Sequence, residues 1–176
     1  MPGQPGVSRQ RSGPDPPAHR SGTCDIAVAA TASSIAVVRG RLSDWLTRLG
    51  WPTESVEDIV LAVSEAVTNA VEHAYSTPVP IGLMADTVEV RGVVVHQTSA
   101  AGARRRVHVQ VRDQGRWRPP PSRQPSDGPS RFRGHGLVVM RALMARVTVN
   151  SDTTGTEVEL ISRSVTAQHD SIQQTR

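Results

Sequence analysis

Lysine is absent from this 176-residue chain, and all 20 of its basic residues are Arg. That excludes any lysine-dependent mechanism and leaves only guanidinium groups, which stay protonated at physiological pH. Aromatic residues are scarce, with Trp 3, Tyr 1 and Phe 1, so the core must be aliphatic and stacking on nucleobases is a poor expectation. The single Cys24 cannot form an intrachain disulfide. No charged start followed by an apolar run reads as a secretion signal or a membrane span. The expected home is the cytoplasm, without membrane attachment. The net charge of +4 favours acidic partners, but Arg clusters are commonly solvated faces, so charge decides little.

Residues 1–22, rich in Pro, Gly, Ser and Arg, cannot bury enough apolar surface to offset the entropy of ordering and are expected to form a disordered leader. One domain is expected over 23–164, with 165–176 as a loose tail. Cys24 to Ala29 alternates as a strand does; Ile35, Val38, Leu42, Trp45, Leu46 and Leu49 recur at helical spacing. Gly50 and Pro52 stop that helix, Thr53 can cap the next, and Glu54, Glu57 and Asp58 suit the positive end of its dipole. The second helix is predicted to run to about Tyr75.

Thr87 to His96 and Val107 to Arg112 predict a hairpin, with Arg104 to Arg106 at its solvated tip. Residues 116–133 carry three consecutive prolines and no hydrophobic period, which makes a loop of unusual length. A helix from Leu137 to about Ala145 precedes strands over Val147 to Asn150 and Thr156 to Ile161, joined through "DTTG". The sum is an α/β (α+β) two-layer sandwich: a mixed, largely antiparallel sheet with helices on one face.

The second helix poses a chemical question. "SEAVTNAVEHAY", Ser64 to Tyr75, sets Glu65, Asn69, Glu72 and His73 among Ala and Val. At about 100° per residue, Glu65, Asn69 and Glu72 share one stripe. It is either solvated or the wall of a polar site. For Glu72 the surface reading is the better one. Asn69 argues for a site, because Asn is a poor helix former and a merely solvated position would be better served by another residue. His73 has no second His or Cys at metal-ligand spacing and reads as a hydrogen-bonded structural residue. Asp113 reads either as a turn aspartate before Gly115 or as an acceptor-only carboxylate suited to an adenine amine. Thr156 is a plain β-branched strand residue or a pocket hydroxyl.

Four segments in order, "SEAVTNAVEHAY", "VRDQGRW", "GHGLVVMRALMARVTV" and "GTEVEL", resemble the box set of the GHKL ATPases, most closely the RsbW-type anti-sigma factor serine kinases. The resemblance covers roughly Ile26 to Arg163. It implies a sandwich that binds Mg-ATP between sheet-side loops and a mobile lid. It also implies roles: Glu65 as the catalytic base, Asn69 as the Mg²⁺ ligand, Asp113 and Gly115 at adenine, and Thr156 beside them. Gly134, His135, Gly136 and Leu137 would lie along the phosphates, with Arg133 or Arg131 reaching them. Trp117 stands where many relatives carry a second glycine, and Arg118 and prolines follow, so the lid is stiffened.

The function implied is an ATP-binding anti-sigma factor. It would phosphorylate a serine or threonine on an anti-anti-sigma (STAS) partner and sequester a sigma factor, with a homodimer as the form relatives suggest. The alternative is a non-catalytic, ATP-dependent protein-binding module regulating a phosphatase or other partner. A basic nucleic-acid binder is the weakest reading, since aromatics and a DNA-reading helix are both wanting.

Overall fold

The computed structural model describes residues 22–75, 87–100, 102–114, 135–152 and 154–167. Strand β1 (Thr23–Ala29) leads into helix α1 (Ala32–Arg48), and helix α2 (Thr53–Tyr75) follows after Gly50 and Pro52. Gly50 takes φ 66°, the left-handed turn that ends a helix cheaply only for glycine. Pro52, rather than Thr53, stands just ahead of α2, its carbonyl accepting the Val56 N–H at 3.0 Å.

The hairpin is longer than its apolar alternation predicts. β2 (Thr87–Ser99) and β3 (Gly102–Asp113) pair antiparallel over most of their length, from Glu89 opposite Arg112 to Ser99 opposite Gly102. Helix α3 (His135–Leu143) precedes a second hairpin, β4 (Arg146–Asp152) with β5 (Gly155–Ile161). Strand order is β1-β2-β3-β5-β4, and every pairing among the described residues is antiparallel. A sixth short strand, β6 (Val165–Thr166), pairs with Arg104–Arg105 of β3, so the sheet continues past 164, where the domain was expected to end. At the other end, the Gly22 carbonyl already accepts the Val94 N–H at 2.8 Å.

Of Arg104 to Arg106, expected as a solvated tip, Arg104 is exposed but Arg105 is held against the end of α1. The reason is hydrogen bonding that a sequence cannot display. The Arg105 guanidinium donates to the carbonyls of Leu49 at 2.8 Å and Gly50 at 2.7 Å, and it lies 5.0 Å from the centre of the Trp51 ring. It thereby satisfies carbonyls orphaned at the end of α1, where the helix dipole favours a cation. Arg104 donates to the Ser164 hydroxyl and carbonyl, and Arg106 to Gln97.

One face of the sheet carries the core. Val88 and Val90 of β2, Val107, Val109 and Val111 of β3, and Val158 and Leu160 of β5 are buried beneath Val38, Leu42 and Leu46 of α1, Ile59, Val63 and Val67 of α2, and Met140 of α3. Fully burying one such aliphatic side chain contributes about 1.5–3 kcal/mol. The alternate residues, among them Glu89, Arg91, Gln110 and Arg112, are exposed on the opposite face. Trp45 packs under the sheet, its ring atoms 3.0 Å from where a Cβ at Gly92 would stand. No helix among the described residues is long and apolar enough to cross a membrane.

Candidate active site

Helix α2 presents its polar stripe where α3 begins. Glu65 and Asn69 are half-buried there, whereas Glu72 is exposed, in keeping with its reading as a surface residue. The neighbouring hydroxyls turn inward: Ser64 donates to the Val60 carbonyl at 2.6 Å and Thr68 to the Ser64 carbonyl at 2.8 Å. Both therefore satisfy themselves within the helix. That leaves the carboxylate and the amide as the polar groups the stripe offers to a ligand.

The start of α3 meets this pair. A Cβ built on Gly136 would stand 2.9 Å from Glu65 Oε2, 3.4 Å from Asn69 Nδ2 and 3.5 Å from Asn69 Oδ1. Gly136 thus brings the first turn of α3, with its unsatisfied backbone N–H groups, against the two polar side chains of α2. His135, the first residue of α3, is exposed, and Leu137 is half-buried against the core.

A second polar group lies at the end of the sheet. Asp113, the last residue of β3, is directly opposite Thr156 of β5, and both are buried on the helix-bearing face. Gly155 holds the junction. Its φ of 152° suits glycine, and a Cβ there would stand only 2.0 Å from the Asp113 carbonyl oxygen.

Ser151 was not among the expected site residues. The β4–β5 register sets it opposite Thr156, with its Oγ 3.4 Å from Thr156 Oγ1. The signal for it is the length of the "DTTG" turn: Asp152 pairs with Gly155, which carries β4 two residues beyond Asn150. The Asp152 carboxylate accepts the Thr154 N–H at 2.7 Å and its hydroxyl at 2.6 Å. These bonds, the side-chain one foremost, hold the carboxyl below its usual range. Burial, the largest influence, pushes the Cys24 thiol up and leaves it protonated.

Gly115, Arg131, Arg133, Gly134 and Trp117 lie outside the described residues, as does the side chain of His73. The groove of about 270 Å³ between α1 and α2, lined by Arg39, Ser43, Val56, Glu57, Val60 and Leu61, contains none of the expected site residues.

Residues 28–162 match the histidine kinase-like ATPase domain family. The chain belongs to that family. Among relatives of this ATPase domain, the serine-protein kinase RsbW of Bacillus velezensis is 32% identical over 135 residues, covering 73% of this chain and 78% of that protein. The serine-protein kinase RsbW of Halalkalibacterium halodurans is 36% identical over 77 residues, covering 44% of this chain and 48% of its own length. The aligned segment thus spans about half of that relative. The solved RsbU and RsbW domains of Rv1364c from Mycobacterium tuberculosis share the fold, with a TM-score of 0.55 and 28% identity over 83% of this chain and 34% of that one. The helix-and-sheet sandwich expected of an ATPase domain of this kind is the observed one.

Proposed function

We propose that this ATPase domain is a protein serine/threonine kinase that uses Mg-ATP to phosphorylate an anti-anti-sigma (STAS) partner and, in another state, holds a sigma factor. The observation that carries the reading is the meeting of Gly136 with Glu65 and Asn69. It gathers a carboxylate, an amide oxygen and a helix N-terminus, the groups that phosphoryl transfer requires, from two segments of chain.

The donor set suits magnesium. No group of three or more His, Cys, Asp or Glu able to hold a metal occurs among the described residues. Mg²⁺ is commonly held by one or two hard protein oxygens, substrate phosphates and water, and the Asn69 amide oxygen is such a donor. When bound, the ion neutralises charge on the phosphates. In the proposed reaction the partner's serine oxygen forms a bond to the γ-phosphorus, the bond from that phosphorus to the β,γ-bridging oxygen breaks, and ADP leaves. Glu65 accepts the hydroxyl proton. The N–H groups at the start of α3, from His135 through Leu137, would meet the phosphates; Gly134 and Arg133, outside the described residues, are assigned to the phosphates by the family resemblance alone, as Gly115 is to adenine. Asp113 would accept the adenine exocyclic amine, with Thr156 beside it; guanine would offer that carboxylate a carbonyl oxygen and be repelled.

Labelled ATP incubated with the protein and a STAS-type partner tests the reading. Serine phosphate should appear with the native protein and fall by about 10²-fold or more in Glu65→Gln, while Asn69→Ala should lose the Mg²⁺ dependence of ATP binding. ATP-stabilised melting without any transfer would instead establish the non-catalytic nucleotide-dependent binding module.

A further inference from the structure

The geometry points to Gly136 as a positioning residue. Its missing side chain is the clearance in which the Glu65 carboxylate and the Asn69 amide are held. This rests on the kinase reading for its consequence, but not for its geometry.

Three glycines among the described residues adopt positive φ, namely Gly50, Gly102 and Gly155. Gly136 is not one of them. Its backbone conformation is open to any L-residue, and alanine would be the better helix former. A side chain there would meet the facing helix: a Cβ would stand 2.9 Å from Glu65 Oε2 and within 3.4–3.5 Å of both polar atoms of the Asn69 amide. At the first distance something must shift, and because the nearest atom is the far end of the flexible Glu65 side chain, the shift costs little stability and falls on the position of the carboxylate. Gly40 in α1 supplies the contrast, because a Cβ there would meet nothing within 4 Å. The two helical glycines thus differ in what surrounds them. A carboxylate displaced by a methyl group loses its alignment with an incoming hydroxyl, and small misplacements of reacting groups cost large factors in rate.

The test is a double-variant cycle on the nucleotide-free protein. Melting temperatures are measured for the native chain, Gly136→Ala, Glu65→Ala, the double variant, and Gly40→Ala as the helix-propensity control. Gly40→Ala should melt at or above the native temperature. Gly136→Ala should change the melting temperature more favourably in the Glu65→Ala background than in the native one, because only the native background has a carboxylate to displace. An equal change in both backgrounds would overturn the proposal. Should Gly136→Ala fail to fold, recovery of folding in the double variant supports the clearance, and failure of both variants refutes it.

Transfer supplies the functional arm. Gly136→Ala should reduce phosphoryl transfer by about tenfold or more, and Glu65→Asp, with its shorter side chain, should recover part of that loss when combined with it. A double variant no better than Gly136→Ala alone would remove the positioning role. If the native protein transfers no phosphate, the kinase reading fails, while the melting cycle still decides whether Gly136 makes room for Glu65.

Discussion

Asp113 and Thr156 face each other across the β3–β5 ladder, 7% and 2% exposed, on the face that the helices cover. In the proposed function the Asp113 carboxylate takes the exocyclic amine of adenine, with the Thr156 hydroxyl beside it. Asp113→Asn should therefore keep the fold and weaken ATP binding by about tenfold or more, while narrowing the preference of ATP over GTP. Calorimetric titration of both nucleotides checks this.

Gly155 should be the least replaceable glycine among those described. Alanine there meets an unfavourable backbone region, costing about 1–3 kcal/mol, and its Cβ would also overlap the Asp113 carbonyl, 2.0 Å away. Gly155→Ala is expected to lower the urea midpoint clearly and to reduce ATP affinity with it. The loss of affinity follows because the residue that must move carries the proposed base-recognition carboxylate.

Arg105 ties the middle of the sheet to the end of α1. Arg105→Ala should cost about 2 kcal/mol, through two charge-assisted hydrogen bonds and the stacking on Trp51. Arg105→Lys should recover less than half of it, since an ammonium cannot reproduce the planar fork. Urea unfolding of the three proteins measures both differences.

The Asp152 carboxyl is more acidic in the folded chain than in the unfolded one because Thr154 donates to it. Between the two pKa values the unfolded state binds more protons. The contribution is therefore complete about one unit above the unfolded value, at about pH 5, and is lost as pH falls through the lower, folded value. Asp152→Ala should show a shallower acid-side fall in melting temperature than the native chain, with the curves differing by a constant amount above about pH 5.

Much of the fold was legible because its elements are strongly periodic. Ile35 through Leu46 repeat at helical spacing, and Val88, Val90, Val107, Val109 and Val111 alternate, so the helix and strand faces follow from which residues avoid water. Glu65 and Asn69 stood out because polar side chains in an Ala and Val helix need a reason. Arg105 was misread because a run of three arginines near a turn looks solvated, and its acceptors lie 55 and 56 residues away. Ser151 was missed because hairpin register depends on turn geometry rather than on composition.

By itself, the sequence determined the element types, the aliphatic core and the polar stripe on α2, since each follows from local spacing and the aversion of apolar groups to water. Only the tertiary structure decided that α3 begins against that stripe, that Asp113 lies opposite Thr156, and that Gly136 faces flexible side chains whereas Gly155 is pressed against backbone. Those facts depend on atoms that approach through packing between segments distant along the chain, and such distances are set by the assembled whole.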